Sequence, residues 1–350
     1  MNNEQDRVEI KYVLYGQFIP YSTLKTIVDP VVNGSVVNVF IDCYQMMLPI
    51  YRFYRIIDPL NITSCMINMA IHYRNFFKKR NIHSHIFLLY SPTMSPNNSR
   101  FCPEYNNKYI TRVLNNRDIA DIVNNSLGYI STLISHIPDM YMKIGTVETS
   151  IMALDIIDKF DEKGYSPLNF FVTNSQYAFQ LPALNEKIIL LYKKRNKQGE
   201  DVSYNVTKED ALDKFVAETR NQHVKPVDLD QSWVSGFMTI SGIPKRDIPS
   251  IINYRESMKV LKYIKGNYDV VEPTVLYNAI DKLFEGKKNI SITDIANRFN
   301  CIDIKYQLQL YRTLAESSET MYLKQYINLE ELYDINDKYF QDNPMNLDKI

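Results

Sequence analysis

An aspartate closing a buried apolar run is the first place in this chain where chemistry is conceivable. Residues 36–42 (VVNVFID) are β-branched and apolar up to Asp42. A carboxylate at a strand's end either holds a cation or caps the helix that follows, and the run alone leaves both open. His83 and His85 alternate along a second apolar run and therefore share a face. Without a third ligand nearby in sequence, they make no metal site by themselves. The cysteines Cys43, Cys65, Cys102 and Cys301 include no CxxC pair, which excludes a zinc ribbon or dithiol redox motif. Isolated thiols fit a reducing compartment. The basic run at 193–197 (KKRNK) follows an apolar strand and is ordinary solvated loop charge unless a polyanion meets it. No Walker, GxGxxG or GxSxG motif occurs.

The elements that position these groups follow from periodicity. Strands are expected at 36–42, 84–90 (SHIFLLY), 168–173 (LNFFVT) and 187–192 (KIILLY). Helical spacing occupies 43–80, about 108–136 and 146–160, with a Pro-, Asn- and Ser-rich loop at 91–107. The stretch 193–205 is a polar loop or hairpin, and helices dominate from 207 onward around a turn at 241–249. Strands alternating with helices predict an α/β domain with a parallel sheet over 36–206. Residues 1–35 form an N-terminal extension and 207–350 a helical subdomain. In such a sheet, ligands bind at the carboxyl ends of the strands, which places Asp42 where a ligand would be.

Composition sets outer bounds. The 350 residues are 45% hydrophobic and 23% charged, an ordinary globular balance. Forty basic and forty acidic residues cancel, which excludes a histone-like polycation but not a local basic patch. Neither the opening MNNEQDRVEIKY nor any later run has the apolar length of a signal peptide or a membrane span. Asn, Ile, Tyr and Lys are abundant while Gly (10) and Trp (1) are scarce, the residue usage of an AT-rich genome such as a phage's.

Five co-linear segments resemble the 5′-nuclease family of flap endonucleases and phage 5′–3′ exonucleases, whose catalytic domain is PIN-like. They are VNVFIDCYQMM (38–48), IFLLYSP (86–92) with Arg100 and CPEYNNKY (102–109), GTVETSIMALDII (145–157), FFVTNSQYAFQL (170–181) and SGIPKRDIPSI (241–251). The resemblance spans roughly 36–265. It implies a parallel-sheet PIN/5′-nuclease-like domain with helices on both faces and a C-terminal helix–three-turn–helix-type subdomain. It also implies two divalent ions, Mg²⁺ or Mn²⁺, held by carboxylates about 3.5–4 Å apart, activating water and neutralising the leaving oxygen.

Carried over residue by residue, that set is depleted. Asp42 and Glu148 keep family acids and are the remnant metal ligands. Elsewhere the matching positions hold Tyr90 or Ser91, Ser150, Ile151, Asn174, Gln176, Ile243 and Arg246. Asp155, one to two turns beyond Glu148, compensates only if it faces the same way. An arginine beside a metal site repels the ion. Two-metal catalysis is therefore not expected.

What the resemblance leaves is binding. Arg100, Lys108 and Arg112, interleaved with Tyr105 and Tyr109, match the helical arch, and such a mixture contacts phosphates and stacks bases. Gly242, Lys245 and Arg246 fall in the helix–three-turn–helix turn and favour phosphate if they face outward. The implied partner is nucleic acid, branched or single-stranded DNA foremost, with viral replication or transcription proteins, in the cytoplasm of an infected host cell and with no membrane. The alternatives are an active nuclease using Asp42, Glu148 and Asp155, and a scaffold protein reusing the fold. In the scaffold reading the C-terminal tyrosines Tyr306, Tyr311, Tyr322, Tyr326, Tyr333 and Tyr339 dock a partner or pack the core.

Overall fold

Runs of Val, Ile, Phe and Leu buried on both faces are what a central parallel strand requires. The computed structural model describes residues 35–47, 58–91, 101–104, 117–145, 147–195, 201–220 and 228–317. Six strands make one sheet: β1 (Val36–Asp42), β2 (His83–Tyr90), β3 (Met140–Ile144), β4 (Leu168–Thr173), β5 (Ile188–Arg195) and β6 (Asp201–Val206), in the order β3-β2-β1-β4-β5-β6. The first five run parallel, and β6 returns antiparallel on β5. The stretch after 192 is thus a hairpin. β3 was not among the expected strands, because its five residues MYMKI lie at the sheet edge and Tyr141 and Lys143 interrupt the apolar run.

Helices cover both faces, as the resemblance implies. α1 (Pro59–Lys78) and α2 (Arg117–Ile134) carry the chain between β1, β2 and β3. The Asp58 side chain caps α1 by accepting the Leu60 N–H, with Pro59 in the first turn. Strand alternation divides the core. Val37, Val39 and Ile41 join Phe76, Phe77 and Ile130 on one face. Phe40 and Phe171 join Ile151 and Ile157 of α3 (Thr149–Glu162) on the other.

That second cluster continues without a break into the helical half. After the short α4 (Gln180–Leu184) and the hairpin come α5 (Ala211–Arg220), α6 (Val234–Ser241), α7 (Tyr254–Asn267), α8 (Pro273–Phe284), α9 (Ile292–Ile302) and α10 (Ile304–Ser317). Capping boxes at Asn253/Glu256 and Ser291/Asp294 start α7 and α9. One buried cluster thus includes residues on both sides of residue 206. Tyr311 packs against this core, and Tyr306 stacks edge-on against Phe101. Tyr322, Tyr326, Tyr333 and Tyr339 lie outside the described residues, as does the N-terminal extension up to residue 34. Among the described residues, no helix is long and apolar enough to cross a membrane.

Candidate functional site

β1 ends at Asp42, and its register beside β4 brings Asp42 next to Thr173 at the sheet's carboxyl edge. The carboxylate is buried. Its Oδ2 accepts the Thr173 hydroxyl at 2.9 Å, and its Oδ1 accepts the Gln45 N–H at 3.2 Å. Asp42 therefore does cap the turn after β1, one of the two roles open to a strand-end acid. Burial raises its pKa, and the hydrogen bonds from Thr149, Gln45 and Thr173 with the Arg246 charge offset this only in part.

Glu148 stands just before α3, also buried. Burial pushes its carboxyl up to about 7; the Arg246 charge lowers it and the charge of Asp42 raises it. The two acids thus share one low-dielectric site.

The cation in that site is Arg246. Gly242 leaves α6 with φ 77°, where a Cβ would lie 2.5 Å from the Ile248 carbonyl oxygen and 2.7 Å from Pro249. Only glycine accommodates that turn. A single 3₁₀ turn, Pro244–Arg246, follows and stops at Asp247 in the left-handed region, while Ile243 and Ile248 bridge its base. The turn aims Arg246 inward. Its Nη2 donates to Glu148 Oε2 at 2.7 Å and to Ser175 Oγ at 2.8 Å, and the residue is 4% exposed. The outward orientation on which phosphate contact by Arg246 depends is not found: a buried guanidinium, bonded to a buried acid, presents no charge to a polyanion.

The other positions matching family acids are also spent within the protein. Asn174 donates to the Gln45 carbonyl, and Gln176 Oε1 accepts the Lys245 N–H. Ser91 and Ser150 are buried, Ile151 is apolar, and burial pushes the Tyr90 hydroxyl up to about 12. Asp155 does not join Asp42 and Glu148. It holds Lys143 at 3.3 Å, Lys159 at 2.9 Å and Arg312 at 3.0 Å, tying α10 and β3 to α3. Its pKa is lowered overall, burial being outweighed by these three cations. Asp155 is therefore not the third ligand that compensation required: its carboxylate is committed to an ion cluster of its own.

Lys245 points the other way from Arg246. Its Nζ donates to Tyr192 OH at 2.7 Å and Glu218 Oε1 at 3.0 Å, with about half its side chain exposed (46%). Arg100, Lys108 and Arg112 lie outside the described residues.

These residues do not fit a pair of Mg²⁺ or Mn²⁺ ions. Each ion wants several oxygen ligands with compensating negative charge. Among the described residues Asp42 and Glu148 are the carboxylates at this edge, and a guanidinium is hydrogen-bonded to Glu148. The sequence marked Arg246 as unfavourable to a metal but missed that it bonds Glu148 and Ser175. A charge reversal at an acid position, while another acid is retained, was the available signal.

A six-stranded, mostly parallel sheet with helices on both faces and its polar residues gathered at the carboxyl edge defines the class of fold. No protein-family model matches the sequence, and no curated protein does. Solved structures do. The D15 protein of phage T5 co-crystallised with metal ions aligns with a TM-score of 0.52 at 12% identity, covering 87% of this chain and 97% of that one. The T5 5′-exonuclease with bound zinc aligns with a TM-score of 0.52 at 11% identity over the same shares. A pseudo-enzyme–product complex of the bacteriophage T5 D15 flap endonuclease with DNA and metal ions aligns with a TM-score of 0.50 at 12% identity, again over those shares. The chain thus has the T5 5′-exonuclease fold.

Proposed function

We propose that this protein is a viral homologue of the 5′-nucleases that binds nucleic acid, branched or single-stranded DNA foremost, and has lost two-metal hydrolysis. One observation carries the loss: the Arg246 guanidinium lies 2.7 Å from Glu148 in a buried site beside Asp42. A resident positive group there takes the place of the charge a metal would bring, and it has no exchangeable water to activate. What supports the binding half is the shared fold, because one solved neighbour is a complex with DNA. The phage source of those neighbours and the AT-rich residue usage support a viral origin and a role in replication or transcription.

The test is direct. The full chain and its Asp42→Ala variant are incubated with a labelled 5′-flap duplex and a single strand in Mg²⁺ and in Mn²⁺. The expected result is no cleavage by either protein. Binding to both DNAs should weaken linearly in log affinity against log salt, as counterion release requires. Cleavage abolished by Asp42→Ala would reject the inactive reading, and absence of binding at low salt would reject the nucleic-acid reading in favour of a scaffold.

A further inference from the structure

The opposite end of the sheet holds a second cluster. His83 opens β2 and His85 follows on the same face, while Asp139 stands immediately before β3. Pairing of β2 with β3 brings Asp139 alongside, since its carbonyl accepts the Ile86 N–H at 2.8 Å. This supplies the third ligand that sequence spacing could not reveal. One ligand atom from each of the three residues lies within 4.8 Å of the others. His83 Nε2 is 3.5 Å from Asp139 Oδ1. A tetrahedral ion with bonds of about 2.0–2.1 Å sets its ligand atoms roughly 3.3 Å apart, so this pair already has the spacing and the remaining gaps need to close by at most about 1.5 Å. Asp139 itself sits in the left-handed region, at φ 62°.

We propose that His83, His85 and Asp139 form a mononuclear site for a borderline transition-metal ion, Zn²⁺ by its chemistry, with the fourth position open. Two imidazole nitrogens and one carboxylate suit Zn²⁺, whereas Mg²⁺ asks for oxygen alone. A cleft of about 250 Å³ opens on His83 and Asp139, with Arg74, Lys78, Asn81 and Ser84 on its walls. Arg74 and Lys78 oppose a bare dication, so the fourth ligand is anionic: hydroxide or a small anion entering by the cleft. This site is independent of the buried acids at the carboxyl edge.

The experiment uses chelator-treated full-length protein titrated with Co²⁺, a coloured stand-in for Zn²⁺. One equivalent should develop intense tetrahedral d–d bands that Zn²⁺ bleaches and excess Mg²⁺ leaves alone. Zn²⁺ should also raise Tm, by an amount that grows with the logarithm of its concentration. His83→Asn and Asp139→Asn should each weaken binding by at least about tenfold, while Asp42→Asn, at the other end of the sheet, leaves it unchanged. Asparagine tolerates the left-handed backbone at 139, and His83 lies at a partly exposed strand end, so both variants keep the fold, as circular dichroism would verify. A wild-type protein without a stoichiometric Co²⁺ site would overturn the proposal, as would bands that persist unchanged in both ligand variants.

Discussion

Arg246→Ala removes the guanidinium that donates a hydrogen bond to Glu148, and its cost is worked from the buried pair. Deleting one member of a buried ion pair typically costs about 3–5 kcal/mol, because the remaining charge is left without compensation. That is a large share of the roughly 5–15 kcal/mol that holds a protein folded. The pH dependence tests the cause. Glu148 has a folded pKa of about 7, above its ordinary 4.5, so the folded state retains a proton that the unfolded state releases. Its contribution therefore favours folding less and less as pH rises from 4.5 to about 7, and is level beyond that. Without Arg246 the folded value rises further and the decline continues past 7 at about 1.4 kcal/mol per pH unit. The excess cost of the variant at pH 8.5 over pH 6 should then approach about 2 kcal/mol. Urea titrations of both proteins at the two pH values measure it. The double variant Arg246→Met with Glu148→Gln, which removes both charges, should recover most of the loss. A cost identical at both pH values, or a double variant worse than the sum of its parts, would show that Arg246 does not answer the charge of Glu148.

Three further outcomes follow from the same geometry. Gly242→Ala should lower stability by at least about 2 kcal/mol in a denaturant titration, since φ 77° and a backbone oxygen 2.5 Å from the new Cβ leave no relaxed position. Asp155→Asn should cost about 3–5 kcal/mol, most of it from stranding the buried Lys143. Burial already lowers the pKa of Lys143, so in that variant the deficit should shrink as pH rises and the amine sheds its proton. In the parent, the Asp155 contribution is present above 3.8 and lost as pH falls through its lowered folded value; thermal melts from pH 2 to 10 follow both. Millimolar Mg²⁺ should leave the Tm of the protein unchanged, because the guanidinium already compensates Glu148; a concentration-dependent rise that Asp42→Ala abolishes would contradict this.

The sheet was legible because its central strands are buried on both faces and read as unbroken apolar runs, VVNVFID and SHIFLLY among them. β3 was not, since an edge strand of five residues with a lysine in it has neither the length nor the alternation that periodicity needs. The carboxylate pair was readable for a different reason. Asp42 ends a strand, where ligands of such a sheet bind, and Glu148 lies in the segment 145–157 that resembles the family's helix start, so the resemblance and not periodicity singled it out. The direction of Arg246 stayed open because orientation within a turn depends on φ at Gly242 and Asp247, and a positive φ at an aspartate leaves no mark in the sequence. Asp139 was invisible on the same grounds: its partners His83 and His85 lie far away in the chain, and only the pairing of β2 with β3 joins them.

The retention of Asp42 and Glu148 becomes intelligible once Arg246 is counted. Two acids buried at the edge of a sheet repel each other and lose hydration, and burial alone drives both pKa values up. Where metals are bound, the ions supply the compensating charge. On the proposed loss of those ions, such acids would have to be replaced, protonated or paired. Tyr90, Ser150, Asn174 and Gln176 occupy positions where replacement is complete, and each is neutral. Glu148 is paired with Arg246, and Asp42 accepts two hydroxyls and a backbone N–H that offset its burial in part. On that account Arg246 and Glu148 are coupled. A charge-neutral Glu148→Gln should tolerate Arg246→Met and not Arg246 itself, which would then be the buried charge without a partner. Finding Glu148→Gln as stable as the parent at pH 8.5 would remove the electrostatic reason for the pair.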